Sequence, residues 1–356
     1  VNAMHTKHAR QSPALQPAQR KLPVRSRRPQ PPGARPRGAA LLAAMLTVTL
    51  VATLAATALW QQWRAVEVET AERARVQAAW IMLGALDWSR LILRQDASSG
   101  GADHLGEPWA MPLQEARLSS FLAGEGNAAP PEDASTDLSD AFLSGQILDL
   151  QGRLNLSNLV LGGKVQETAL HQFERLFANL GLPAAELDLL VQALLQTQAP
   201  ANAESDTPLL PPSVAQLGWL GLAPATVAAL APYVVLLPQQ TPVNLNTAPA
   251  EVLQAAIAGI DRADAQRLVQ ARAGRHFSNL NEVRDRLGAK AVVSDSLHSV
   301  ASAFFEARGQ LRLGEIVVGQ RSLLYRQGVN VRTLWSERGA FPLVADSAGA
   351  ADTVNP

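Results

Sequence analysis

The sequence predicts an α+β fold: a long N-terminal helix packed on an antiparallel sheet, with an all-helical domain inserted between its strands. Three observations carry this prediction. An apolar run from Ala39 to Trp60 passes without a proline into an amphipathic stretch that reaches Asp96. Apolar–polar alternation marks strands from Ala141 to Leu150 and again between Ser299 and Trp335. Between these strand regions lie helical runs punctuated by Gly and Pro.

The chain has 356 residues, 47% of them apolar, enough for one large domain or two to three small ones. Its charge is unevenly spread. Nine of the 31 basic residues and none of the 31 acidic ones precede Ala39, so the remainder carries a formal charge of −9. A mildly acidic body argues against a broad electrostatic footprint for nucleic acid. The absence of cysteine excludes disulfides, thiolate metal sites and a thiol nucleophile.

Residues 1–38 are rich in Pro, Gln, Arg and Ser and are expected to be a disordered leader. Residues 39–60 form the transmembrane part of the N-terminal helix, about 33 Å long at the helical rise per residue. That is longer than the apolar core of an ordinary cleaved signal. Basic residues ahead of the span predict a cytoplasmic N-terminus and an exported body, with Trp60 and Trp63 at the far interface. The helical pattern then continues, with Val66, Ala74, Trp80, Leu83, Leu91 and Ile92 recurring at helical spacing and Glu67, Glu69, Glu72, Arg73 and Arg75 on the wet face.

Residues 97–106 read as a polar connection, followed by the rigid segment Glu107-Pro108-Trp109-Ala110-Met111-Pro112, and residues 123–137 read as a loop. After the strand at Ala141–Leu150, Gln151-Gly152 is expected to turn the chain into a returning strand, Arg153–Leu156. Helices are expected over Gln166–Leu180, closed by Gly181, and over Ala184–Gln196, opened by Pro183. A linker over residues 198–212 precedes short helical pieces at Val214–Leu220 and Pro224–Leu230. Val243-Asn244-Leu245-Asn246-Thr247-Ala248-Pro249 then leads into three further helices. Asn246 or Thr247 is expected to cap the first of these, with Pro249 in its first turn. Strands follow over Ser299–Leu313, Ile316–Arg326 and Val329–Trp335, and residues 345–356 read as a disordered tail.

Residues 243–288 resemble helix-hairpin-helix modules of DNA-binding proteins and, equally, sterile-alpha-motif-like (SAM-like) domains. A DNA-binding hairpin presents free backbone amides and basic side chains to phosphate. Here Asp261 and Asp264 stand where phosphate would dock, and six Arg face five acidic residues over the segment. The residues favour protein packing, and no nucleic-acid partner is expected.

Enzyme chemistry finds no foothold. The six histidines are scattered without metal-ligand spacing, Gly162-Gly163-Lys164 lacks the rest of a phosphate loop, and no Gly-x-Ser-x-Gly occurs.

Three motifs, in order, carry a family resemblance. Arg37-Gly38 followed by Ala39-Ala40-Leu41-Leu42 resembles the processing site of type IV prepilins and pseudopilins. The string Asp149-Leu150-Gln151-Gly152-Arg153-Leu154-Asn155-Leu156 resembles a strand–turn–strand element of the K-type minor pseudopilins of type II secretion. Val243-Asn244-Leu245-Asn246-Thr247-Ala248-Pro249 resembles the hallmark of their SAM-like domain. The resemblance implies a pilin-like fold and cleavage by prepilin peptidase after Gly38, with methylation of Ala39. Shaft subunits carry Glu at the fifth mature position; the K type lacks it, and Ala43 stands there. The resemblance also implies a place in the inner membrane and contacts with I-type and J-type minor pseudopilins and other pseudopilus subunits. Its implied role is to initiate or cap the pseudopilus at its tip. Asp149, Gln151, Gly152, Asn155, Asn244, Asn246, Thr247 and Pro249 are the motif residues. By resemblance alone calcium is a possible cofactor, with Asp149 and Asn155 as candidate oxygen donors; both residues read more simply as turn-stabilising, and no metal site is assigned. The expected organisation is a leader (1–38), a transmembrane helix (39–60), and the first part of a pilin-like domain (61–156). Two helical domains (157–240 and 241–295), the closing strands (296–338) and a tail (339–356) complete it.

Overall fold

The computed structural model describes residues 37–119, 141–198, 209–314, 316–339 and 341. The leader through residue 36, the loop at 123–137, most of the 198–212 linker and the tail at 345–356 lie outside the described residues. The chain divides into two units, Val1–Val68 and Glu69–Pro356.

Helix α1 spans Arg37–Ser99 and is long and apolar enough to cross a membrane. Within the first unit, every residue from Gly38 to Val68 is exposed. Thr47, Thr49, Thr53 and Thr57 each donate their hydroxyl to the carbonyl three residues back, at 2.8–2.9 Å. Such local pairing lets a hydroxyl enter an apolar phase without an unmet hydrogen bond.

The second unit is built on a five-stranded antiparallel sheet. Its strands are β1 (Leu113–Arg117), β2 (Ala141–Asp149), β9 (Phe304–Leu313), β10 (Ile316–Gln327) and β11 (Asn330–Arg338), adjacent in that order. The C-terminal part of α1 packs on this sheet. Ala78 and Met82 meet Leu143, Leu311 and Leu313; Leu86 and Leu93 meet Trp109, Ile147, Phe305 and Leu324. The buried stripe of α1 differs from the one read from sequence. Trp80 is 69% exposed and Leu91 51%, while small Ala78 and flexible Met82 are buried. Periodicity locates a helix but does not rank two overlapping apolar stripes; close approach to a sheet favours the one with small residues.

Between β2 and β9 the chain makes a helical region. It begins with β3 (Leu154–Asn155), β4 (Val160–Leu161) and β5 (Lys164–Val165). Helices α2 (Glu167–Leu180), α3 (Ala184–Thr197) and α4 (Pro224–Leu230) follow, with a 3-10 turn at Val214–Leu220 and β6 (Val234–Val235). Then come β7 (Val243–Asn244), α5 (Ala250–Ala256), α6 (Arg262–Gly274), α7 (Leu280–Leu287) and β8 (His298–Ser299). One hydrophobic cluster, from Leu154 through Phe173, Leu190 and Leu253 to Leu287, runs through all of these helices. Gln172 and Arg175 of α2 also donate to the carbonyls of Ala256 and Ala255 of α5, at 3.0 and 2.8 Å.

The expected return of the chain at Gln151-Gly152 is not a hairpin. Leu154 and Asn155 pair in parallel with Val234 and Val235, and β2 pairs instead with β1 and β9. Leu154 and Leu156 are fully buried and enter the helical core rather than the sheet. β1 has no clear alternation in its sequence and is recognisable only by its partner.

Candidate functional site

The motif residues after β2 and around β7 converge on the joint between sheet and helical region. Asp149 ends β2. Its Oδ2 accepts from Ser302 Oγ (2.7 Å), Thr247 Oγ1 (2.6 Å) and Asn244 Nδ2 (2.9 Å), and its Oδ1 accepts from the Gln151 amide (2.8 Å). Desolvation pushes this carboxyl up from its ordinary range, and the four hydrogen bonds pull against it.

Gln151 is buried and works at both ends. Its Nε2 donates to the carbonyl of Pro242 at 3.1 Å, and its Oε1 accepts from the amides of Ala303 (2.6 Å) and Phe304 (3.2 Å). It thereby ties the chain entering β7 to the chain leaving for β9. Gly152 is needed for close approach, because a Cβ there would lie 2.9 Å from Thr247 Oγ1. Asn155 donates to the Gln239 carbonyl (2.8 Å) and to Thr241 Oγ1 (3.1 Å), and its Oδ1 accepts from the amides of Ser157 and Leu237, both at 3.1 Å.

Asn244 is fully buried, and Asn246 has an assignment different from the one expected. Asn246 does not cap α5. It exchanges two hydrogen bonds with the backbone of Phe277, Nδ2 to carbonyl and amide to Oδ1, both at 2.9 Å. Pro249 holds the cap position in extended conformation, with no side-chain cap. Thr247 spends its hydroxyl on Asp149.

A second set of groups adjoins this network; Glu107 and Trp109 belong to the rigid segment read from the sequence, whereas Asp96, Asp103 and Arg326 were marked by no motif. Arg326 of β10 donates to Asp96 near the end of α1 (2.6 Å), to Asp103, and to the carbonyl of Ser302 (2.8 Å). Asp103 accepts in turn from the Ser302 amide (2.6 Å), and its own amide donates to Val300 (2.8 Å). Burial raises the Asp103 carboxyl, with Arg326 opposing. Glu107 Oε2 accepts from Trp109 Nε1 (2.7 Å) and the His104 amide (2.9 Å). Desolvation pushes Glu107 up to about 7, partly offset by those two donors. Asp96, Asp103 and Glu107 bring their carboxylates together, and Arg326 supplies the positive charge among them.

The oxygens of Asp149 and Asn155 do not fit a calcium site. Both oxygens of Asp149 and the Oδ1 of Asn155 are committed to hydrogen-bond donors, and no second carboxylate among the described residues joins them. The arrangement is a structural joint: a buried carboxyl ringed by amide and hydroxyl donors, with a guanidinium among further carboxylates at the edge. In the hairpin between α5 and α6, two amides are already taken up locally. The amides of Asp261 and Asp264 bond to each other's carboxylates, and Arg267 and Lys290 pair with Asp264. Gly38, Ala39 and Ala43, singled out in the sequence, all lie on the exposed first turns of α1, away from this joint in sequence.

Comparison with known proteins gives consistent matches. Two family models, both described as type II secretion system (T2SS) protein K, match residues 152–239 and 243–301. The chain is 28% identical over 344 residues to the type II secretion system protein K of Pseudomonas aeruginosa, covering 88% of this chain and 96% of that protein. It is 28% identical over 327 residues to the corresponding protein of Klebsiella pneumoniae, covering 83% and 94%. Its fold is similar to a chain in the crystal structure of the GspK–GspI–GspJ complex from the type 2 secretion system of enterotoxigenic Escherichia coli. The TM-score is 0.58 at 18% identity, over 76% of this chain and 99% of that one.

Proposed function

Because the chain belongs to the type II secretion system protein K family of minor pseudopilins, a family of structural rather than enzymatic proteins, we propose that it assembles with I-type and J-type minor pseudopilins at the tip of the pseudopilus. The observation that carries this reading is α1. One helix combines an apolar, bare N-terminal part with a C-terminal part that packs on an antiparallel sheet. The partners follow from the named composition of the similar complex.

On this reading prepilin peptidase cuts after Gly38 and Ala39 becomes the methylated N-terminus. The basic leader then lies in the cytoplasm, and the body in the periplasm. The helical region is an inserted SAM-like pair, residues 157–240 and 241–295, within a pilin-like domain made from 61–156 and 296–338. Two features support the tip. Ala43 leaves no carboxylate in the apolar helix to pair with the N-terminal amine of a subunit above, and the bulk of the helical region suits an end better than a packed shaft.

The test is purification of the full chain from membranes together with its I-type and J-type partners. A stable three-chain complex containing a chain whose intact mass starts at methylated Ala39 is expected. A retained leader, or a chain that ignores those partners and instead binds duplex DNA in a salt-sensitive way, would overturn the reading.

A further inference from the structure

We propose that the stacked imidazoles of His104 and His276 are a proton-sensitive latch, closed while the His104 ring is neutral and weakened when it becomes a cation. His104 lies in the loop that follows α1; His276 lies between α6 and α7 of the helical region. Their ring centroids are 3.8 Å apart and their planes differ by 9°. The contact therefore joins the helical region to the segment that leads from α1 into the sheet.

The chemistry of the contact requires a neutral ring. His104 Nδ1 accepts from the Gly106 amide at 3.1 Å, which leaves the proton of the neutral ring on Nε2. Protonation places a hydrogen on Nδ1, facing the Gly106 N–H, and removes that bond. Positive charge on His104 is further opposed by His276 at stacking distance.

The backbone on each side of the pair is pinned. The His104 amide donates to Glu107 at 2.9 Å, and the preceding Asp103 amide donates to Val300 at 2.8 Å. Next to His276, Phe277 is held by both hydrogen bonds from Asn246.

Charged groups surround the pair on both sides. Asp96 and Asp103 favour the charged form of His104, and burial and His276 oppose it more strongly, so its pKa lies below the ordinary histidine value. Glu107 and Arg326 complete the α1 side; Arg275, paired at 3.9 Å with Glu282, flanks His276. The sign follows. With a depressed imidazole pKa, the contribution is fully present above the unfolded histidine value and declines as pH falls below it. Glu107, held up at about 7, has the opposite slope, so the histidine limb is read by difference between variants.

Hydrogen–deuterium exchange of the full chain in detergent, corrected for intrinsic rates, tests the latch at about pH 5 and about pH 7.5. Peptides covering 270–280 are expected to lose protection severalfold at the lower pH, while peptides from β10 do not. His276→Phe keeps an aromatic ring against His104 and removes one charge. It is expected to match the native chain at the higher pH and to abolish most of the acid loss. His104→Gln, which cannot become a cation and also removes the stack, is expected to give the same protection at both pH values, below that of the native chain at the higher one. Equal protection of the native chain at both pH values, or an undiminished acid loss in both variants, would overturn the proposal.

Discussion

Asn244 and Asp149, ninety-five positions apart in the chain, meet side chain to side chain at 2.9 Å. Asp149 is the last residue of β2 and Asn244 the last of β7, so the contact joins the sheet to the second half of the helical region. Thr247 and Ser302 donate to the same carboxylate oxygen, which brings three separate segments to one atom.

Every group that faces Asp149 is a donor. Asp149→Asn would turn an NH₂ toward at least one of them, leaving two donors opposed. A loss of about 2–3 kcal/mol is expected. Urea unfolding of the detergent-solubilised chain, followed by circular dichroism, measures it. A change within about 0.5 kcal/mol, the range of ordinary surface substitutions, would show that the joint is not held here.

Trp109 is 1% exposed and meets Phe305 edge-on at 5.2 Å under the C-terminal part of α1. Trp109→Ala is expected to cost about 3–5 kcal/mol through the cavity it leaves. Trp109→Phe should cost less, and should also release Glu107 from its indole donor. The same unfolding measurement ranks the two.

Glu107 sets a pH dependence with a defined sign. Its carboxyl is raised from an ordinary value of 4.5 to about 7, so the folded chain holds a proton that the unfolded chain gives up. The stabilisation is full below 4.5 and is lost as pH rises through about 7. Glu107→Gln keeps an acceptor for Trp109 Nε1 and the His104 amide while removing the titration. It is expected to flatten the fall in urea midpoint over that window, and an unchanged slope would place the titrating group elsewhere.

Gly259 turns the chain between α5 and α6 with φ at +86°, and a Cβ there would lie 2.0 Å from the Lys290 carbonyl oxygen. Gly259→Ala is expected to cost more than about 2 kcal/mol, because the left-handed backbone and the clash act together. Faster exchange at the amide of Val292, which donates to Ala258 at 2.9 Å, should report the opened turn directly.

Much of the helical region was legible in the sequence. Gly181 adopts the left-handed conformation that ends α2, Pro183 precedes α3, and Pro224 opens α4, each at its expected place. These signals are local: a missing N–H, a missing Cβ and a 3.6-residue repeat act on their own stretch of chain whatever lies across from it. The strands β2, β9, β10 and β11 were legible for a similar reason, since alternation records one wet and one dry face.

The candidate joint was legible only as a pair of motifs. Asp149 and Asn244 were each singled out, but nothing in either motif states that they touch. Asn246 shows how a local reading fails. By composition it is a helix cap, yet the amide of Phe277, thirty-one residues on, captures its side chain in the buried state. Arg326, Asp96 and Asp103 carried no motif, because three charged residues scattered over 230 positions become a cluster only when β10 lies beside the end of α1.

The sequence by itself determined the long apolar helix, the helical runs with their ends, the α+β class and the family, since each rests on local patterns or on ordered motifs. Tertiary structure decided which face of α1 is buried, that β2 pairs with β1 and β9 rather than with its own sequel, and which atoms share the Asp149 carboxylate. Those choices depend on partners far away in the chain. A buried polar group is satisfied by whichever donor the fold brings within about 3 Å, not by the one nearest in sequence.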